Sequence, residues 1–546
     1  MRLLLINPTI VDKPEHLHIG LATVASYVRA HSDHHVHILD FVASRREWPR
    51  ALSACLERER PDLVGMYIST PYVPAAREVA REVRRLAPGV PILAGGHHAT
   101  LAPDSLMEGD EIDMLIVGEG EKPLLRLLDA LQASEPLDVV PGLWWREGDI
   151  IKKSDKDTLL AAERIPPLDW SLHDERTLKE ALRIWGVLPF MASRGCPYRC
   201  SFCAITNVQR LYPGERFLRF RDPVEVVDEI EKAYHRYKDD GLRIVFFYDL
   251  NFLLRPEWVR AFTDEYRRRG MHEKLKWSAY SRGDHITPEV LESLRDSGCV
   301  NLRIGIEAAN PIMRNDIYDK DLPQEVLESA LREVKALGIS VTGYFLAGGP
   351  GERPEWLMES LELAYRFGVE FPVFFLYKPL SGTDILDRAE ALGSSVIEES
   401  MAQAADFLHG VNMRHRHVEA WQLELFVRAT HVLFGAPLVM HQLRRAGWRY
   451  PIRMADYVRR GLTLGFPAYA AFTYFVFYGD DHLSDPIALP ERPRPGLAWR
   501  AAAGLLGKLM GRSAKDDPCP APQPEAPAKR PRERRASAGA RLPVLS

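Results

Sequence analysis

The sequence predicts an α/β protein made of two successive sets of strand–helix units, and three observations carry that expectation. From residue 1 to about 140, short runs rich in Val, Ile and Leu alternate with segments of helical periodicity, the pattern of a doubly wound parallel sheet with crossover helices. A second series of apolar runs, again separated by helical patterns, extends from 186 to about 400. Near its start, Cys196-Pro197-Tyr198-Arg199-Cys200-Ser201-Phe202-Cys203 sets three cysteines at C-x3-C-x2-C spacing.

Composition bounds the answer. The 546 residues are 46% hydrophobic and 27% charged, which suits sizeable cores. A net charge of −4 gives no overall footprint for nucleic acid, so no specific nucleic-acid partner is expected. Six cysteines are too few for a disulfide scaffold of this length, and Cys55, Cys299 and Cys519 read as two core thiols and one tail thiol. The apolar start, Met1–Pro8, is only a strand long and lacks the features of a signal peptide, so a reducing cytoplasm is expected.

In the first set, strands are predicted at Arg2–Asn7, Val36–Asp40, Asp62–Ile68, Val90–Ala94 and Met114–Val117, with helices at about Ile19–Ala30, Pro74–Leu86 and Pro123–Ala133. Ligands of such sheets bind outside the carboxyl ends of the strands. Small and polar residues mark those ends: Asn7-Pro8, His18-Ile19-Gly20, Ser69-Thr70-Pro71, Gly95-Gly96-His97-His98-Ala99-Thr100 and Gly118-Glu119-Gly120-Glu121. Glycines there let the backbone approach a bulky ligand closely.

Residues 141–185 read as a linker. Pro141–Ile151 is predicted as two short strands joined at Glu147-Gly148-Asp149, and Ile165-Pro166-Pro167-Leu168-Asp169-Trp170 as extended, since consecutive prolines oppose a helix. In the second set, residues 186–400, strands are predicted at Pro189–Ser193, Leu242–Tyr248, Leu275–Ala279, Val300–Ile306, Ser340–Phe345 and Val373–Lys378. Helices between them include Pro223–Arg236, Pro256–Arg269 and Gln324–Leu337.

Thiolates are soft ligands suited to iron–sulfur clusters or zinc. Zinc would want a fourth protein ligand, and no C-x2-C or H-x3-H partner lies near the three cysteines. A cluster held by three cysteines leaves one iron open to a small molecule. The stretch resembles the cluster loop of the radical S-adenosylmethionine (SAM) enzymes, where that iron binds the amino and carboxylate groups of SAM. Later strand ends resemble further elements of that family: Tyr248-Asp249-Leu250-Asn251-Phe252, Ser281-Arg282, Gly305-Ile306-Glu307, the glycine-rich Gly343–Glu352, and Pro379-Leu380-Ser381-Gly382-Thr383. The resemblance implies a partial (β/α)6 TIM-type barrel. It makes Cys196, Cys200 and Cys203 the 4Fe–4S ligands and catalytic centre, and places Phe202, Asp249, Arg282, Glu307 and Gly348 about SAM.

The segment 1–140 resembles the Rossmann-like cobalamin-binding domain of the cobalamin-dependent radical SAM family. That resemblance implies cobalamin contacts at Asn7, Gly20, Ser69, Gly95, Gly96, His97, Gly118, Glu119 and Gly120. The D-x-H-x-x-G element that supplies a cobalt ligand in methionine-synthase-type domains is absent, so no axial ligand is assigned. Methylthiotransferases acting on tRNA carry three cysteines for a second cluster in this position, whereas residues 1–150 here hold only Cys55.

Residues 401–490 are expected to be helical, with an amphipathic helix at Ala420–Val432, and 491–546 to form a disordered tail rich in Pro, Ala and Arg. Arg444, Arg445, Arg449, Arg453, Arg459 and Arg460 precede an uncharged aromatic run, Gly461–Gly479. The stretch 444–479 suits peripheral membrane contact, or a core helix or cap. The resemblance implies a cobalamin-dependent radical SAM enzyme that methylates an unactivated carbon of a small-molecule or lipid substrate, reduced by a donor such as flavodoxin or ferredoxin. An oxidative cyclase or rearrangement enzyme with the same cofactors is the alternative, and a non-catalytic cobalamin-binding sensor is an alternative of another class.

Overall fold

The computed structural model describes residues 1–10, 17–41, 47–397, 410–446 and 497–511, together with positions 451 and 455. The stretch 447–479, apart from those two positions, and most of the tail therefore lie outside the described residues.

The first sheet is built from β1 (Arg2–Asn7), α1 (Ile19–His31), β2 (His35–Asp40), α2 (Trp48–Glu59), β3 (Leu63–Tyr67), α3 (Val73–Leu86), β4 (Ile92–Gly95), α4 (His97–Leu101), α5 (Pro103–Met107), β5 (Met114–Ile116) and α6 (Glu121–Ala133). The hairpin β6 (Leu143–Glu147) and β7 (Ile150–Lys153) completes it. Strand order is β2-β1-β3-β4-β5-β6-β7. The first five strands are parallel, and β5 pairs antiparallel with β6. The hairpin predicted in the linker thus extends the first sheet, because Trp144 and Trp145 continue its buried surface beside Leu115 and Met114.

Alternation along the strands fills both faces. Leu4, Ile6, Val64 and Met66 bury into one core, and Leu3, Leu5, Leu63 and Leu93 into the other. Helix α1 starts where the His18 ring accepts the Leu21 N–H at 3.1 Å. Helix α2 was not among the expected helices; its charged sequence buries a narrow stripe of Leu52, Cys55, Leu56 and Glu59.

After α7 (Glu175–Trp185), which follows the proline-rich connector, come β8 (Val187–Phe190), β9 (Ser193–Arg194), α8 (Ala204–Arg210), β10 (Arg219–Phe220), α9 (Pro223–Tyr237), β11 (Ile244–Phe247), α10 (Pro256–Arg268), α11 (Met271–Lys274), β12 (Lys276–Ser281), α12 (Pro288–Leu294), β13 (Cys299–Glu307), α13 (Gln324–Ala336), β14 (Ser340–Ala347), α14 (Pro354–Arg366) and β15 (Phe371–Leu376). Six parallel strands form an open barrel sheet in the order β15-β14-β13-β12-β11-β8. Asp174 caps α7 and Gly186 ends it in the left-handed conformation, so β8 follows at once. Asp222 caps α9 in the same way, with Pro223 in its first turn.

Behind β11 and β12, Phe247, Phe252, Phe262 and Trp277 are fully buried with ring centroids 4.3–6.0 Å apart. Each such side chain contributes roughly 1.5–3 kcal/mol through burial. This rigid wall fixes the strand ends on which the site is built. A hairpin, β16 (Ser394–Val396) with β17 (Met413–His415), and the long helix α15 (Ala420–Ala446) close the far side, where Leu423 and Phe426 pack into the barrel core. Among the described residues, no helix is long and apolar enough to cross a membrane.

Candidate active site

The cysteine loop is held from three directions. Gly195 enters it at φ +86°, with the Phe217 carbonyl 2.2 Å from where a Cβ would stand. Ser201 donates its N–H to the Tyr318 carbonyl at 3.0 Å and its hydroxyl to the Ile317 carbonyl at 2.8 Å. Cys203 leads directly into α8. Arg282, 5% exposed, lies over the Tyr198 ring at 3.6 Å, donates to the Lys320 carbonyl at 2.7 Å, and points Nη1 at Cys200 Sγ from 3.7 Å. Its other hydrogen bonds go to Asp284, so the carboxylate it meets belongs to its own loop.

Burial raises the thiols of Cys196 and Cys200, and raises Cys203 to about 12, so a positive centre must bind for all three to ionise at neutral pH. Among the described residues, no three thiol, imidazole or carboxylate groups converge as a single ion requires. The ligands of a cluster stand apart at separate corners, an arrangement that three cysteines along one loop can supply.

Asp249 is 1% exposed and accepts hydrogen bonds from the Ala192 N–H at 3.0 Å and from the Ser193 hydroxyl. Burial raises its pKa to about 6 despite those bonds. Its carboxylate therefore orients the strand end that delivers the cysteine loop. Glu307 stands at a bulge in β13 with φ +64°, a conformation uncommon for a side chain of this size. Lys320 donates to its Oε1 at 3.0 Å, and a Cβ at Gly305 would meet the same oxygen at 2.6 Å.

Beyond it, Gly348 adopts φ +84°, and its N–H points at Glu352 Oε2 from 3.3 Å. Glu352 is 2% exposed, and desolvation lifts its carboxyl to about 8. The Tyr318 hydroxyl is buried with no hydrogen-bond partner among the described residues; its ring meets Phe202 edge-on at 5.2 Å, and a Cβ at Gly349 would stand 2.1 Å from its oxygen. An orphaned hydroxyl between the cysteine loop and a glycine loop marks a space that a polar ligand completes.

A cavity of about 340 Å³ lies between the two sheets. Its floor is the carboxyl rim of the first sheet, from Leu5, Tyr67, Gly95 and Ile116, and its roof comes from the second set, with Met191, Phe217, Tyr248 and Leu250. Gly20, Gly95, Gly96, His97, Gly118, Glu119 and Gly120 all line it. A Cβ at Gly95 would project into open space, whereas one at Gly118 would stand 2.1 Å from the Tyr212 hydroxyl. The apolar floor and the glycine cradle suit the close approach of a bulky ring ligand such as cobalamin.

Two of the expected rim residues do not line this cavity. Asn7 is 2% exposed and donates to Asp40 at 3.1 Å, tying β1 to β2, and Ser69 precedes the turn at Thr70–Tyr72. His97 faces the cavity, hydrogen-bonds the Tyr67 hydroxyl at 2.8 Å, and has its pKa lowered by desolvation. His98 instead bridges Thr70 and Ser105.

The Glu119 carboxylate pairs with Arg219 and Arg194 of the second set, and Glu121 pairs with Arg194. Sequence reading missed Arg194, Arg219 and Tyr212, and gave Thr100 no role beyond its place at a strand end. Thr100 accepts the Gly118 N–H at 3.1 Å and so fixes the last glycine loop. Only the chance that an arginine follows a predicted strand could have flagged Arg194.

With the geometry described, comparison with known proteins is specific. Residues 191–364 match the Radical SAM superfamily and residues 9–128 match the B12 binding domain. The chain is similar to an uncharacterized methyltransferase of Pyrococcus horikoshii, 27% identical over 68% of this chain and 78% of that one. It is also similar to the anaerobic magnesium-protoporphyrin IX monomethyl ester cyclase of Cereibacter sphaeroides, 29% identical over 62% of this chain and 54% of that one. Its fold is shared with a radical SAM methyltransferase of Kitasatospora setae solved with cobalamin and a 4Fe–4S cluster bound, at TM-score 0.61 and 20% identity, over 72% of this chain and 76% of that one. The chain thus carries a B12 binding domain followed by a Radical SAM domain, and this pairing implies a 4Fe–4S cluster, SAM and cobalamin as its cofactors.

Proposed function

We propose that the enzyme transfers a methyl group to an unactivated carbon of a small organic substrate, a lipid included. The observation that carries this reading is the cavity lined jointly by the glycine rim of the first sheet and by Met191, Ser193, Arg194 and Gly195, the strand end leading into the cysteine loop. In this reading Cys196, Cys200 and Cys203 hold the cluster. Glu307, Tyr318 and the loop from Gly348 to Glu352, beside Phe202, hold SAM. Gly20, Gly95, Gly96, His97, Gly118 and Gly120 hold cobalamin. When bound, these cofactors supply one-electron hydrogen abstraction and a methyl group, chemistry beyond the reach of acid–base side chains.

The chain's own residues orient and enclose. Arg282 fixes the cysteine loop through Tyr198, Asp284 and Lys320, and Asp249 fixes the strand end before it. Met191, Phe217 and Leu250 give the cavity an apolar roof that excludes water. A small electron-transfer protein of the flavodoxin or ferredoxin class supplies the electron in a reducing compartment. Contact of 444–479 with an anionic membrane surface belongs to the same reading and is tested by vesicle co-sedimentation.

The similarity to the ester cyclase favours a second reading, in which the same cofactors serve an oxidative cyclisation. Anaerobically reconstituted protein, given methyl-labelled SAM, reductant and candidate metabolites, separates the two. Equal formation of 5′-deoxyadenosine and S-adenosylhomocysteine, with label in a product, supports methylation. Formation of 5′-deoxyadenosine alone, with an unlabelled product, overturns it in favour of the cyclase.

A further inference from the structure

Six side chains, of which only Tyr248 has been described above, meet inside the barrel sheet: Phe246 on β11 and Tyr248 just after it, Tyr280 on β12, Arg303 on β13, Tyr344 on β14 and Phe375 on β15. The rings form a continuous belt. Centroid separations are 4.6 Å for Phe246–Tyr248, 5.0 Å for Phe246–Tyr280, 5.8 Å for Tyr280–Tyr344 and 5.7 Å for Tyr344–Phe375. Arg303 sits in that belt, its guanidinium 3.9 Å from the Phe246 ring centre and Nη1 3.4 Å from the Tyr344 hydroxyl. Strand alternation puts these residues on the inner face, opposite Phe247 and Trp277, which pack outward on Phe262 of α10. Tyr248 also lines the cavity between the two sheets, so the belt continues from it.

Arg303 is 5% exposed, while Tyr248, Tyr280, Tyr344 and Phe375 are only half-buried. A guanidinium stays charged at any working pH, and its planar fork matches a carboxylate or phosphate. In a desolvated, ring-lined space it attracts an anion far more strongly than a surface arginine does. The rings offer apolar faces to whatever body carries that anion.

We infer that this belt is the substrate subsite, and that it takes an amphiphilic organic acid: a carboxylate or phosphate at Arg303, and an apolar body along the tyrosine and phenylalanine rings. This assignment rests on reading the barrel interior as the chamber in which the proposed methyl transfer occurs.

The test is direct binding to the full-length holoenzyme, followed by fluorescence anisotropy. The probes are 1-pyrenebutyrate, its uncharged analogue 1-pyrenebutanol, and the linear acid cis-parinarate. Wild type is expected to bind at least one of the two acids about tenfold or more tighter than the alcohol, a difference of about 1.4 kcal/mol. Arg303→Met is expected to bring that preference below about threefold while cobalamin absorbance is kept. Arg303→Lys, which keeps the charge without the fork, retains part of it and serves as the variant should the Met protein not fold.

A preference for pyrenebutyrate assigns a planar body and one for parinarate a chain; either supports the acid class. Equal binding of acids and alcohol by wild type, or an unchanged preference in a folded Arg303→Met protein, overturns the proposal. Binding requires no SAM cleavage. Intact acid selectivity without methyl transfer to any acid therefore sinks the function reading alone, and methyl transfer to uncharged substrates without acid selectivity sinks this one alone.

Discussion

Glu119, in the loop after the last parallel strand of the first sheet, accepts two hydrogen bonds from Arg219 of the second set, at 2.5 and 3.0 Å. The pair is largely buried, and Arg219 and Arg194 hold the Glu119 carboxyl below the usual range against the opposing effect of burial. With the Arg194 pairs to Glu119 and Glu121, this ion pair fastens the two halves of the cofactor cavity together.

Breaking that pair from one side leaves a buried charge. Glu119→Gln is expected to cost roughly 3 kcal/mol in denaturant unfolding and to speed cobalamin loss. Adding Arg219→Met should recover part of that loss in a double-mutant cycle. Additive losses would show that the two residues act separately.

Gly118→Ala places a methyl group at φ +97° and 2.1 Å from the Tyr212 hydroxyl. The expected result is a stability loss of about 1–3 kcal/mol and at least about tenfold weaker cobalamin binding by spectral titration. Removing the hydroxyl with Tyr212→Phe should restore part of the binding. Undiminished binding in Gly118→Ala would mean that this loop does not shape the cavity.

Asp249→Asn turns one of two acceptors into a donor facing the Ala192 N–H and Ser193 hydroxyl. The expected cost is about 1–3 kcal/mol, with reduced iron and sulfide per chain after reconstitution, because the cysteine loop starts from that strand end. Full cluster content in a correspondingly destabilised Asp249→Asn protein would confine the residue to folding.

Glu352 gives a pH signature. Burial raises its carboxyl from 4.5 to about 8 in the folded state, so the folded protein binds this proton more tightly than the unfolded chain does. Its contribution to stability is complete below about pH 4.5 and is lost as pH rises through about 8. Glu352→Gln, which mimics the neutral acid, should therefore gain stability over wild type in the cofactor-free protein, increasingly from pH 5 to 8. Parallel unfolding curves for the two proteins across that range would refute it.

The sequence by itself determined the fold class and the cluster chemistry. Strand and helix periodicities are local, so β1, β3, β13 and α13 could be placed from their own residues. Three cysteines within eight positions carry their chemistry wherever the chain puts them. The glycine rim was legible for a similar reason, because a glycine after a strand reports a local need for space. Tertiary structure alone decided what the charged residues do. Glu119 lines the cofactor cavity, and its carboxylate meets Arg194 and Arg219, residues 75 and 100 positions away in the chain. Asn7, Asp249 and Arg282 likewise spend their polar groups on neighbouring strands and loops. A charge is satisfied by whatever stands within a few ångströms of it, and long-range packing sets that distance where no spacing in the sequence records it.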